Sequence, residues 1–309
     1  HQEEVFQKIK RINISMKIGM FFFLFLEKEY FPMKKVYLLL FILISINTFS
    51  QNKEKVKGSK IVTMEQKPIE NFKTLEVEDN LEVFLVKGKE CALEIEADDN
   101  LHEYIDFKIA GSNLRITTTK SINNFKKLSV RVTYTDDFNM VIAKNETNVT
   151  ALSDVDLTDI TFKSYDFAKL YLNAKTKNFT LMANDKSKIE LNLKSEKAAI
   201  DISKNANVKA LIASTELKVD MFQKSSATIE GDVNILKLRL DNNSDFIGNK
   251  LTANSLQIFS DGYSNAKVLV KNTIAIDAAG KSEIEISGEP KIDIKRFTDN
   301  ATLKKKALK

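Results

Sequence analysis

The chain has one cysteine, two histidines and no tryptophan in 309 residues. Lone Cys91 excludes an intramolecular disulfide, and an exported β protein large enough to bury a core does not need one. His1 and His102 are the only imidazoles. They are too few to build a Ser–His–Asp triad, and one of them beside Cys91 is not yet a Cys–His dyad. His102 reads as a loop residue. Zinc-ligand spacing, a P-loop, a dinucleotide fingerprint and the Gly-Gly-x-Gly-x-Asp calcium repeat are all missing. Charge of one sign is missing too: 47 basic side chains face 42 acidic ones, and beyond residue 50 the balance narrows to 40 against 38. That removes the electrostatic case for nucleic acid. The sequence therefore supplies no catalytic, cofactor-binding or metal-ligating set.

What is present is one short pattern written seven times between Ile160 and Ile292. Ile160, Phe162 and Ser164 alternate with polar residues, a polar corner follows at Tyr165-Asp166-Phe167, and Ala168, Leu170 and Leu172 resume the alternation. Nineteen residues on, Phe179, Leu181 and Ala183 are followed by Asn184-Asp185-Lys186 and then by Ser187, Ile189 and Leu191. The step recurs to Ile274, Ile276, Ala278, Ser282, Ile284 and Ile286, with one interval of twenty and one of eighteen. Alternation of period two means strand, and no copy holds a helical run of apolar residues. Asn, Asp, Ser and Gly gather where the chain must turn. One copy cannot bury its apolar face alone, so copies must stack around a shared core. A leucine-rich repeat is the rival, but its Leu-x-x-Leu-x-Leu signature is absent. The reading is all-β: a single-stranded parallel β-helix with rungs of about 19 residues, and seven rungs at about 4.8 Å make a column of roughly 34 Å.

Stacking turns the repeat into columns. Asp201, Asp220 and Arg239 share an outward column, with Asp277 further along, so Arg239 should sit beside Asp220 and offset the repulsion between the two aspartates. Tyr171, Glu190 and Lys209 share a second outward column. Each is read as solvated strand surface with weak cross-strand pairs, the functional alternative being a charged binding face. Ser187, Ser225, Ser244, Ser264 and Ser282 form a column of turn packing and hydrogen bonding. Asp166 and Asp185 recur in the polar corner, but later rungs lose the acid, which argues against a calcium ladder.

Taken in order, residues 1–32 follow no consistent pattern and read as upstream sequence outside the native protein. Residues 33–50 read as a signal peptide: Met33-Lys34-Lys35, an apolar run from Val36 to Ile46, then small residues at Thr48 and Ser50. The apolar run is too short to span a membrane comfortably, and the mature chain is expected to begin near Gln51. Residues 51–67 read as a polar, flexible leader. Residues 68–140 are longer, less regular strands expected to cap the N-terminal end of the stack. Within them Leu101 to Tyr104 reads as a helical turn, and Ile109 to Ile116 as two strands about a tight turn. Residues 141–297 are the rungs, and residues 298–309, with Lys304-Lys305-Lys306, read as a basic solvated tail.

The stretch from Phe72 to Gly88, the turn at Gly111-Ser112-Asn113-Leu114 and the Ser-centred rungs resemble the head GIN domain of "putative autotransporter adhesins". The resemblance covers about Phe72 to Ile292. The family usually turns its rungs on Ser-Gly-x-Ser. Asp261-Gly262-Tyr263-Ser264 and Ala279-Gly280-Lys281-Ser282 keep the glycine, whereas Asn184-Asp185 and Asn242-Asn243 replace it with residues that tolerate left-handed backbone. The resemblance implies a right-handed β-helix and a secreted or envelope protein of the kind common in Bacteroidetes-type bacteria, and it carries no catalytic motif. The expected function is a non-enzymatic adhesive or scaffolding module that binds a glycan or an envelope protein on a strand face. Assembly with further copies through the solenoid ends is a third expectation. The alternative is a polysaccharide lyase or hydrolase with Asp201 and Asp220 as its facing acids. No aromatic residue is evident beside that pair for sugar stacking.

Overall fold

The computed structural model describes residues 53–307, so the signal-peptide segment 33–50 and the upstream segment 1–32 lie outside the described residues. The chain forms β1 (Lys55–Lys57), β2 (Val62–Pro68), β3 (Thr74–Val77), β4 (Glu82–Lys87) and β5 (Ala92–Asp98). A 3-10 turn (Asp99–Tyr104) leads to β6 (Ile105–Ala110), β7 (Asn113–Thr118), β8 (Ser121–Asn123) and β9 (Leu128–Tyr134). The stack continues with β10 (Met140–Ala143), β11 (Asn148–Ala151), β12 (Val155–Ser164), β13 (Lys169–Ala183), β14 (Lys188–Ile202) and β15 (Asn207–Met221). It ends with β16 (Ser226–Leu240), β17 (Asp245–Ser260), β18 (Asn265–Ala278), β19 (Glu283–Ser287), β20 (Lys291–Phe297) and β21 (Thr302–Lys305). Parallel coils of about 19 residues form a β-solenoid of about nine turns.

The repeat sets the register. Phe179 pairs with Ala198, Ala198 with Leu217, and Leu217 with Leu236. On the other side of the turn Leu170 pairs with Ile189, Ile189 with Val208, and Val208 with Ala227. These inward side chains are almost all under 5% exposed, and they form one continuous core. Phe162 and Phe179 stack within it, ring centroids 5.8 Å apart. Strand pairing carries on through the change of alternation near Lys177, which is why β13 to β16 are each 15 residues long, and it stops at the polar corner. There the backbone becomes left-handed. Gly262 and Gly280 have φ of 68°, and Asp166, Asp185, Asn242 and Asn243 adopt the same sign without glycine. The carboxylates add a reason for aspartate: Asp166 Oδ2 accepts the Asn145 backbone N–H at 3.0 Å, and Asp299 Oδ2 accepts that of Gly280 at 3.1 Å. Each bonds the turn of the coil before it.

The ends depart from the sequence reading. Of the expected flexible leader, residues 53–67 are instead built into the fold, since β1 pairs in parallel with β8 and β2 pairs antiparallel with β5. Their alternation is muted because their side chains are exposed or only partly buried, with Val56 packing against the edge of the core. Within 68–140, β3 and β4 are themselves a coil, in register with β10 and β11. The chain then leaves the stack, and β7 and β9 return to cover β3 and β4. The antiparallel strands β6, β5 and β2 close over them, turning an open parallel edge into a finished end. Residues 298–307 are not a loose tail either. β21 pairs with β19 to complete a last coil, and Lys304 and Lys306 bind Glu283 and Glu285 of the preceding one at 2.7 and 3.0 Å. At that end the inward column runs out uncovered among the described residues, with Ile292 and Ile294 42% and 52% exposed. No helix among the described residues is long and apolar enough to cross a membrane.

Candidate binding surfaces

The fold places the two outward columns on different faces. The first runs along the strand halves that carry Phe162 and Leu181. Asp201 pairs in register with Asp220, Asp220 with Arg239, Arg239 with Phe259 and Phe259 with Asp277. Arg239 is beside Asp220, but its guanidinium is taken up elsewhere. It lies over the rings of Phe222 and Phe259, 5.4 and 5.1 Å from their centroids. Asp220 is neutralised instead by Lys218 on its own strand, Nζ to Oδ2 2.5 Å. Further along, Arg296 binds Asp277 at 2.6 Å and also lies 5.6 Å from the centroid of Phe259.

Phe259 corrects the reading that this face lacks aromatics. Phe222 follows Asp220 by two residues in the chain, and the stack adds Phe259 to the same column two coils beyond Asp220. Asp201 remains the outlier. Burial, with the charge of Asp220 beside it, pushes its carboxyl above the ordinary aspartate range. Two neighbouring carboxyls, one of them raised, have the form of an acid–base pair, but the cations and rings of this face are occupied by one another.

The second column is different. Thr150, Tyr171, Glu190, Lys209 and Thr228 follow in register from β11 and β13 to β16. Two residues on, Asn173, Asn192, Leu211 and Glu230 form a parallel column. In–out alternation runs unbroken from Lys169 to Thr176, so the strand crosses this region without an outward corner. Between the two columns lies an open groove of about 650 Å³, floored by Leu172, Leu191 and Ala210. Neither Asp201 nor Asp220 lines it.

The remaining candidates are structural. Ser187, Ser225, Ser244, Ser264 and Ser282 are buried in one inward column. Ser164 Oγ donates to Ser187 Oγ at 3.0 Å, and Ser244 Oγ donates to the Asp241 carbonyl at 2.7 Å. His102 lies on the 3-10 turn with Nε2 2.9 Å from Thr63 Oγ1, and buried Cys91 neighbours Thr135. The two do not bond each other. Asp166 and Asp185 serve the turn backbone, and among the described residues no group of three potential ligands is placed to hold a metal.

The fold has solved counterparts. A structure described as a "putative adhesin" from Parabacteroides merdae superimposes with a TM-score of 0.62 at 16% identity, covering 82% of this chain and 99% of that one. A second "putative adhesin", from Parabacteroides distasonis, gives 0.61 at 17%, covering 81% and 100%. A "putative lipid binding protein" from the same species gives 0.55 at 12%, covering 82% and 97%. At these identities the likeness is one of fold. A comparison with curated proteins gives no match. The family model described as "Putative auto-transporter adhesin, head GIN domain" matches residues 71–290, and the chain belongs to that family.

Proposed function

We propose that the chain is an exported, non-enzymatic β-solenoid that holds a glycan or an envelope protein on an exposed strand face. The observation that carries this is the groove of about 650 Å³ laid across five successive strand levels of a rigid stack. Membership of an adhesin family supports an adhesive role in general. The segment 33–50 supports export through its basic start and eleven-residue apolar run. Against an enzyme, His102 and Cys91 are apart, and the acids Asp201 and Asp220 sit on a different face from the groove.

The test places residues 51–309, which include every described strand, on immobilised polysaccharides and on bacterial envelope proteins. Retention is measured together with release of reducing or unsaturated sugar ends. Retention without release is expected. Release would overturn the reading and direct attention to Asp201 and Asp220, and failure to be retained on either class of surface would remove the adhesive role.

A further inference from the structure

Most polar side chains of the groove are unengaged, the exception being Glu230, which binds Lys250 at 3.1 Å. Among the described residues, Tyr171, Asn173, Glu190, Asn192 and Lys209 form no side-chain hydrogen bond or ion pair, although Glu190 and Lys209 are register neighbours. The opposite case holds on the first face, where Lys144 binds Glu76 and Glu78, Lys218 binds Asp220 and Arg296 binds Asp277. Five uncommitted donors and acceptors thus line one depression. Two apolar groups accompany them: Tyr171 is 41% exposed and Leu211 53%.

The chemistry of that lining narrows the occupant. The charges of Glu190 and Lys209 cancel, so neither a polyanion nor a polycation is selected. A peptide added as a strand would need a free strand edge, and here every strand is paired on both sides. An amphipathic helix would need a row of apolar anchors, whereas Tyr171 and Leu211 stand alone on the walls. A neutral sugar chain both donates and accepts through its hydroxyls and presents apolar C–H faces to a ring. Five strand levels at about 4.8 Å span roughly 19 Å, and the spacing between levels is close to the advance of one sugar in an extended chain.

We propose that the groove over β11 and β13–β16 binds a neutral linear oligosaccharide laid along the solenoid axis. It is stacked on Tyr171 and hydrogen-bonded by Asn173, Glu190, Asn192 and Lys209. The proposal rests on the adhesive reading and gives it a site and a ligand class.

The experiment titrates residues 51–309 with neutral gluco-, manno-, xylo- and galacto-oligosaccharides of roughly two to six sugars, matching the span of the strand levels. Oligogalacturonate serves as the acidic control. Binding of at least one neutral series is expected, tightening up to about four sugars and unchanged in about 0.5 M salt, where ionic contacts are screened. Tyr171→Ala and Asn192→Ala should each weaken it about tenfold, as loss of a central anchor does. Gln257→Ala, on the first face, should leave it intact. Thermal melts establish that the variants are folded. Neutral binding indifferent to both alanine variants would overturn the groove while leaving an adhesin, as would salt-sensitive binding of oligogalacturonate alone. Absence of binding to every neutral series would overturn the proposal, and retention on envelope proteins would then show that the adhesive reading survives it.

Discussion

Asp98 accepts the backbone N–H of Lys60 through a 2.8 Å hydrogen bond to its Oδ2, and this contact ties the connection between β1 and β2 to the end of β5 in the cap. The same carboxylate accepts the N–H groups of Lys126 and Lys127 at 3.0 and 2.9 Å, and the residue is fully buried. Burial pushes the carboxyl up, but the backbone donors of Lys127, Lys60 and Lys126 more than offset it and hold it below the ordinary aspartate value. The folded pKa is thus the lower one, and the native state binds fewer protons. Its stabilisation is complete above about pH 4 and is lost as the pH falls through the folded value. Asp98→Ala leaves three part-buried backbone donors without their shared acceptor and should cost about 3 kcal/mol. Urea unfolding at neutral pH measures it, and the deficit should shrink in acid.

Asp201 predicts the opposite sign. Its folded pKa is raised, so the native state holds the proton longer and stability falls as the pH rises through that value. Asp201→Asn removes the penalty, and a gain of about 0.5 kcal/mol is expected at pH 7. At pH 3 no gain is expected. Melting curves at the two pH values decide it, and a loss of stability at pH 7 would mean that the charge of Asp201 has a partner.

Gly231 has φ of 115° and lies against Ile212 of the preceding coil, so a Cβ there would collide with the Ile212 carbonyl. Gly231→Ala should cost about 3 kcal/mol through strain and backbone displacement. Gly111, at the tip of the β6–β7 turn, has φ of 60°, and a Cβ there would meet nothing within 4 Å. Gly111→Ala should cost only about 1 kcal/mol. Chemical denaturation of the two variants side by side measures the difference that coil contact makes.

Phe162 is fully buried and stacks on Phe179 of the next coil. Phe162→Ala should cost about 4 kcal/mol. In a stack whose coils contact only their neighbours, the damage should stay local. Hydrogen exchange should therefore accelerate in β10, β12 and β13 and remain nearly unchanged in β17 and β18.

Periodicity alone dictates the coil. A period of about 19 residues with strict in–out alternation leaves one way to bury Phe179, Ala198, Leu217 and Leu236, which is to stack them, and the register follows without further information. The outward columns were legible for the same reason. The tertiary structure decided what periodicity does not contain. The pairing of β2 with β5, and of β7 with β3, joins segments with no common repeat, so the cap and the strands within residues 51–67 had no local signal. The last coil was hidden because its inward residues are few and its lysines look like a tail until Glu283 and Glu285 stand beside them. The two faces differ in how their side chains are committed. Arg239 turns to Phe259 rather than Asp220, while Glu190 and Lys209 stay apart over a groove. Which of several neighbours a long side chain reaches depends on the curvature of the sheet and the packing of each rotamer. Spacing along the chain sets who the neighbours are, and the folded surface chooses among them.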